Sequence, residues 1–279
     1  MRIGVRAHDF GKLPAAELAQ HIAAQGLESV QLNIGASIAG VDGQPGCLSP
    51  GLANHVRKAF DRAGVGIAAL SCYVNPIHPD QATRAANLAR FKEHLRFARG
   101  FGCGVVALES GSLNADYSPH KDNHTGRAFR QTVASLAELT EEAERFGVLV
   151  GIEGVTSHVL GTPELMSQAL QAVDSPNLQV VLDPVNLINN DNYKDQRQVM
   201  EKVFELYGDR IIIIHAKDFI VENGAVKAVH CGRGIMDYPY ILSVLKERKP
   251  FIDVILEGVP EDAAEECVKY LNGAADQSG

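Results

Sequence analysis

The sequence predicts an α/β protein of the (β/α)8 barrel class, folded as a single domain. Three observations carry that expectation. Apolar, β-branched runs of the kind buried on both faces of a parallel sheet alternate along the chain with longer stretches of helical period. Four of these runs stop abruptly on an ionisable residue: Leu149–Glu153, Leu178–Asp183, Ile211–His215 and Asp253–Glu257. The steps between the four ends are 30, 32 and 42 residues, against about 30 residues for one strand-helix unit of an eight-fold barrel.

Taken in order, Arg2–Ala7 reads as the first strand with His8 and Asp9 at its end, and Pro14 opens a helix that Gly26 closes. Ser29–Ile34 is the second strand, ending near Asn33. A glycine-rich loop and a helix from Ser49 to Ala63 follow. Gly66–Tyr73 gives the third strand, and a Pro-bounded loop leads to a helix over Asp80–Gly100 with apolar positions at Leu88, Phe91, Leu95 and Ala98. Val105–Leu108 is the fourth strand, with Glu109 at its end. The loop from Ser110 to Gly126 is long for a strand-helix connection, which marks it as a lid or substrate loop.

A helix over Arg127–Phe146 leads to the Glu153 strand, a helix from Thr162 to the Asp183 strand, and a helix over Gln196–Leu206 to the His215 strand. Val221–Val226 reads as a short inserted β-hairpin. Gly232-Arg233-Gly234 precedes a helix over Tyr238–Glu247, and the Glu257 strand and a helix over Glu261–Leu271 complete eight repeats. Residues 1–272 are thus expected to form the barrel and Gly273–Gly279 a frayed tail. No dinucleotide fingerprint opens the first repeat, which argues against an open Rossmann sheet.

Composition narrows the function. A chain of 279 residues with 46% hydrophobic content can bury a large core, and a net charge of −8 offers no footprint for nucleic acid or an anionic membrane. Small molecules, or other copies of a subunit, are the expected partners. The five cysteines are odd in number, widely spaced and without a C-x-x-C pair, and no apolar leader or 18-residue apolar run is present. These features predict a cytoplasmic protein.

Barrel active sites are built from strand ends, so Glu153, Asp183, His215 and Glu257 are expected to converge on one rim. Three carboxylates and an imidazole make a mixed oxygen and nitrogen ligand set that suits Mn²⁺ or Mg²⁺, with Co²⁺ or Zn²⁺ compatible. A metal with open positions can hold a carbonyl and the neighbouring hydroxyl of a sugar, while Glu153 and Glu257 remove and return the proton next to the carbonyl. His8, Asn33, Glu109, Asn186, Lys217 and Arg233 are the candidate substrate contacts. The simpler alternatives are a helix cap or ion pair for each carboxylate, a Lys217–Asp218 pair, and a tight turn at Gly232-Arg233-Gly234. The cysteines are read as inert packing residues.

Gly151-Ile-Glu153-Gly, Leu182-Asp183-Pro-Val-Asn186, His215-Ala-Lys217-Asp218 followed by Gly232-Arg-Gly234-Ile-Met-Asp237, and Leu256-Glu257-Gly resemble the motifs of the sugar phosphate isomerase/epimerase family of xylose-isomerase-like TIM barrels. The resemblance spans essentially the whole chain. It implies that Glu153, Asp183, His215 and Glu257 bind the metal, that the two glutamates exchange the substrate proton, and that the protein self-associates. The chain departs from the family's ketose 3-epimerases at Asn186, where those carry a histidine, and has Lys217-Asp218 in place of their Glu-x-Asn-Arg segment. The expected function is a metal-dependent isomerase or epimerase of a sugar, ketose or polyol derivative. An inosose-type dehydratase using the same site is the alternative, ahead of an endonuclease IV-like nuclease and a non-catalytic sugar-binding barrel.

Overall fold

The computed structural model of the protein describes residues 1–276. Strands β1 (Arg2–Arg6), β2 (Ser29–Leu32), β3 (Gly66–Ser71), β4 (Val105–Glu109), β5 (Leu149–Glu153), β6 (Leu178–Leu182), β7 (Ile211–Glu222) and β9 (Asp253–Leu256) pair in parallel. Because β9 pairs with both β7 and β1, the sheet has no open edge and closes into a (β/α)8 TIM barrel. The expected hairpin is present: β7 runs on past the barrel and pairs antiparallel with β8 (Ala225–His230). Asn223 and Gly224 turn it with φ of 53° and 79°, the left-handed pair that a two-residue hairpin turn needs.

Helices α1 (Ala15–Ala24), α3 (Pro50–Ala63), α4 (Gln81–Ala98), α5 (Gly126–Phe146), α6 (Pro163–Val173), α7 (Gln196–Tyr207), α8 (Tyr238–Arg248) and α9 (Ala264–Asp276) ring the barrel, with one extra turn, α2 (Ile34–Ser37), after β2. Their starts follow local chemistry. Ser49, Asp80, Thr125, Thr162 and Asp237 each accept a hydrogen bond from a backbone N–H of the first turn, a cap contributing about 1 kcal/mol. Helix α9 continues to Asp276, so residues 273–276 of the expected tail are helical. Residues 277–279 of that expectation lie outside the described residues.

Strand alternation divides the core. Outward residues such as Val30, Leu70, Val106, Ile152, Val180, Ile214 and Leu256 join the large apolar cluster shared with the helices. Ala69, Ala107, Val181, Ile213 and Ile255 form a separate small cluster inside the barrel. Each of these five stands two residues before Ser71, Glu109, Asp183, His215 and Glu257 respectively. With a side-chain period of two, an apolar floor in the barrel therefore puts a polar layer directly above it.

Two glycines keep the floor closed. A Cβ on Gly151 would stand 2.9 Å from Val181 Cγ2, and one on Gly4 would stand 2.3 Å from the carbonyl oxygen of Ser29. The second obstacle is backbone of the adjacent strand and has little room to move. Gly4→Ala is expected to cost about 3 kcal/mol, the upper range for overpacking, read as a lower midpoint in a urea melt. A midpoint equal to that of the unaltered chain would contradict this account of the floor.

Candidate active site

The polar layer brings Glu153, Asp183, His215 and Glu257 together at the carboxyl end of the barrel. One potential ligand atom from each lies within 4.8 Å of all the others. Asp183 and His215 are fully buried, and Glu257 reaches the open mouth. His215 Nδ1 stands 2.9 Å from Glu257 Oε2, 3.4 Å from Glu153 Oε2 and 3.9 Å from Asp183 Oδ2. The buried Nδ1 and Asp183 Oδ2 make no aligned hydrogen bond: Nδ1 faces carboxylate oxygens and Oδ2 lies 2.9 Å from the Lys217 ammonium.

A divalent ion between the four residues would take up these atoms as ligands. The other ring nitrogen fits the same arrangement. His215 Nε2 lies 2.9 Å from Gln31 Oε1, and Gln31 Nε2 donates to Tyr73 Oη at 3.3 Å. A carboxamide oxygen only accepts, so Nε2 carries a proton and Nδ1, turned to the carboxylates, is the nitrogen that can exchange its own proton for a metal. Metal-ligating histidines are commonly oriented in this way. The donor set and its outer partner fit a divalent metal.

Cations hold the rest of the rim. Lys217, two residues beyond His215 on the same face of β7, places Nζ 2.9 Å from Glu257 Oε1 and 2.9 Å from Asp183 Oδ2, and donates to Asn186 Oδ1 at 2.8 Å. Asn186 in turn donates to Glu153 Oε1 at 2.6 Å. Arg6 lies 3.2 Å from Glu257 Oε1 and is gripped through Nε and Nη2 by Asp9. Asp9 also accepts from Gly258 N at 2.8 Å.

Charge states follow from these neighbours. Burial alone would push the His215 imidazole down, but Glu153 and Glu257 outweigh it and carry it up to about 10. Burial raises Asp183 to about 6, against the opposing pull of Lys217. At Glu257 burial is overcome by His215, Lys217 and Arg6, which hold its carboxyl well below the usual range. Burial and then Glu153 and Glu257 raise Glu109 to about 7.

The remaining predicted contacts divide. Glu109 ends β4 directly beside Glu153 in the strand register, and its Oε2 is 3.4 Å from His158 Nδ1. His8 packs edge-on to Tyr73 at 6.2 Å, with Nδ1 buried and unpaired. Asn33 caps α2 by accepting from Ala36 N. Arg233 stands on the outer rim, half-exposed and paired with Glu266, although it borders a cavity of about 450 Å³ together with Lys217, His230 and Glu257. The turn around it is structural: Asp218 accepts from Gly232 N and Met236 N, and Gly234 packs so closely that a Cβ would stand 2.3 Å from Asp218 Oδ1. The Lys217–Asp218 pair considered from sequence does not form, since each has these other partners.

Five residues of the site were not singled out by sequence: Arg6, Gln31, Tyr73, Tyr117 and His158. The first three are legible in retrospect. Arg6 and Gln31 stand two residues before His8 and Asn33, one pleat deeper on the same face, and Tyr73 follows Ser71 in the same alternation.

The chain belongs to the xylose isomerase-like TIM barrel family, whose profile matches residues 19–273. It is 25% identical over 207 residues to the uncharacterized protein MJ1311 of Methanocaldococcus jannaschii, covering 72% of this chain and 67% of that one. Its fold is also that of a solved D-tagatose 3-epimerase-like protein, at a TM-score of 0.79 and 19% identity, over 100% of this chain and 98% of the other. A xylose isomerase-like TIM barrel protein from Mycobacterium smegmatis, solved in complex with magnesium, superposes with a TM-score of 0.76 at 16% identity, over 100% and 98% of the two chains.

A metal and a proton compete for His215 Nδ1. With the proton held up to about pH 10 in the metal-free protein, metal uptake must displace it. Affinity for Mn²⁺ is therefore expected to rise about tenfold per pH unit between about pH 7 and about pH 9. Calorimetric titration in buffers of different ionisation enthalpy should show release of about one proton per ion. A pH-independent affinity without proton release would refute the competition.

Proposed function

We propose that the protein is a divalent-metal-dependent isomerase or epimerase acting on a sugar, ketose or polyol derivative, by proton transfer next to a carbonyl through an enediolate. The observation that carries this reading is the buried convergence of Glu153, Asp183, His215 and Glu257, with His215 Nδ1 turned into the group and left without a hydrogen-bond partner. Membership of a family described as xylose isomerase-like supports the reaction class. The five cysteines, all free, agree with a reducing, cytoplasmic setting. No described helix is long and apolar enough to cross a membrane.

Glu153, Asp183, His215 and Glu257 would hold the ion, Mn²⁺ or Mg²⁺ by ligand type, and the bound ion would supply Lewis acidity to the substrate's carbonyl and adjacent hydroxyl oxygens. The proton chemistry belongs to the protein. Glu153 and Glu257 flank the His215 ring, and the oxygen of each that does not hold the ion can take or return a proton at the substrate carbon, exchanging its present hydrogen-bond partner for the substrate. Asn186 fixes one oxygen of Glu153, while Lys217 and Arg6 fix one edge of Glu257. Lys217 also supplies positive charge where an enediolate oxygen would develop negative charge.

The test is solvent exchange. The Mn²⁺-loaded protein, incubated with a panel of ketoses and inososes in deuterium oxide, should incorporate deuterium at the carbon next to the carbonyl of at least one of them. Glu153→Gln and Glu257→Gln should each lower that incorporation by about 10²- to 10⁴-fold, the usual size of a general acid-base contribution. Loss of water from the substrate would select the inosose-type dehydratase on the same site. If no panel member exchanges or dehydrates, and the metal is lost on desalting, the proposal fails.

A further inference from the structure

Beside the four-residue group, the mouth holds a second polar cluster that the proposed proton transfer does not use. Glu109 contributes it from the end of β4, His158 from the loop after β5, and Tyr117 from the long loop between β4 and α5. His158 is buried, yet its Nδ1 has no hydrogen-bond partner and stands 3.4 Å from Glu109 Oε2. The Tyr117 hydroxyl is buried and unpartnered as well. The two rings lie 5.5 Å apart at 48°. Buried donors and acceptors rarely stay unpaired, and ligand hydroxyls are the chemistry that would match two such groups beside a part-exposed carboxylate.

The loop is built to hold Tyr117 there. Asn75 donates to the carbonyls of Ser112 and Asn114, Asn123 accepts from Leu113 N and donates to the carbonyl of Ser157, and Ser118 is tied to Asp116 and Ser112. Within this frame Tyr117 takes a left-handed backbone, φ 65°. That conformation costs a non-glycine residue about 1 kcal/mol or more and persists only where its surroundings impose it. The loop, expected from its length to be a lid or a substrate loop, is pinned by its own hydrogen bonds and holds the Tyr117 ring beside His158.

The cationic side chains of the site are meanwhile engaged. Arg6 is held by Asp9 and Glu257, Lys217 by Asn186, Asp183 and Glu257, and Arg233 by Glu266 on the outer rim. Glu109 has no lysine or arginine partner among the described residues, so as a carboxylate it would repel an anionic group placed against it, and no free cation stands beside it to offset that. Resting on the function proposed above, we infer that Glu109, His158 and Tyr117 form a hydroxyl-binding subsite. It selects an uncharged polyhydroxylated substrate arm and rejects one ending in phosphate or carboxylate.

Calorimetric binding of sorbitol and of sorbitol 6-phosphate, to the Mn²⁺-loaded and to the metal-stripped protein, tests this. Sorbitol should bind at least about tenfold more tightly than its phosphate ester, and Tyr117→Phe should weaken sorbitol by about five- to tenfold, the worth of one hydrogen bond. Glu109→Gln keeps the shape and removes the charge, so it should shrink the difference between the two ligands to less than about threefold. Circular-dichroism melts establish that each variant is folded.

Equal or tighter binding of the phosphate by the unaltered chain overturns the inference. So does discrimination that survives Glu109→Gln, or absence of heat from both ligands in both metal states. If sorbitol binds with the expected variant pattern while Mn²⁺ is not retained, the subsite stands and the metal-dependent function falls.

Discussion

The structure is organised around a repulsion. Glu153, Asp183 and Glu257 bring three carboxylates to one buried point, and two unit charges about 4 Å apart interact by roughly 4 kcal/mol at the effective dielectric of a protein. No folding advantage comes from such a group by itself. It is tolerated because positive charge is built into the same layer, with His215 beneath, Lys217 above and Arg6 at the side. Even so, Asp183 Oδ2 and His215 Nδ1 meet their charged neighbours without an aligned hydrogen bond. Ligand atoms held by ion pairs alone are open to exchange one partner for a metal ion.

Barrel geometry makes the arrangement possible. Ile213, His215 and Lys217 succeed one another on the inner face of β7 as an apolar floor, a ligand and a cation. β4, β5, β6 and β9 repeat the first two steps with a carboxylate as the second, as Ala107–Glu109, Gly151–Glu153, Val181–Asp183 and Ile255–Glu257. The seam at which β9 meets β1 carries an additional tie, because Asp9 after β1 accepts from Gly258 N after β9 and grips Arg6 at the same time. The carboxylate that bridges the loops at this seam thereby also holds the guanidinium that contacts Glu257. Stability at this seam and charge at the site are parts of one construction.

How much of this was legible in the sequence depended on the kind of signal. A run such as Ile211–Ile214 that ends on His215 announces both a buried strand and the point where it meets the mouth, so the barrel and the convergence of its four marked ends followed from spacing. On the first two strands the sequence pointed to His8 and Asn33, one pleat beyond Arg6 and Gln31, because these inward polar residues sit within the strands rather than at their ends. Tyr117 and His158 carry no periodic signal. Their positions depend on side-chain to backbone bonds from Asn75 and Asn123, residues that read only as loop formers. Arg233 shows the opposite case: Gly232-Arg233-Gly234 looks like an anion cradle, but its glycines are required by close packing against Asp218 and Tyr270.

The two glutamates assigned to proton transfer live in unlike surroundings. Glu257 is contacted by an imidazole, an ammonium and a guanidinium, and these overcome its burial and keep it ionised. Glu153 touches the same imidazole, but its other oxygen takes its hydrogen bond from the neutral amide of Asn186. Pairs of titratable groups held in contrasting environments are how acid and base roles are separated in one site. Under the proposed chemistry Glu257 is always unprotonated when substrate arrives, though surrounding cations make it a weak base. Glu153 lies beside Glu109, whose carboxyl titrates near neutrality through burial and the charges of Glu153 and Glu257. A proton gained by Glu109 relieves its repulsion with Glu153 and Glu257, whereas one gained by Glu257 disrupts three ion pairs. The structure thereby gives the rim a direction, with a proton held more readily at Glu109 on β4 than at Glu257 after β9.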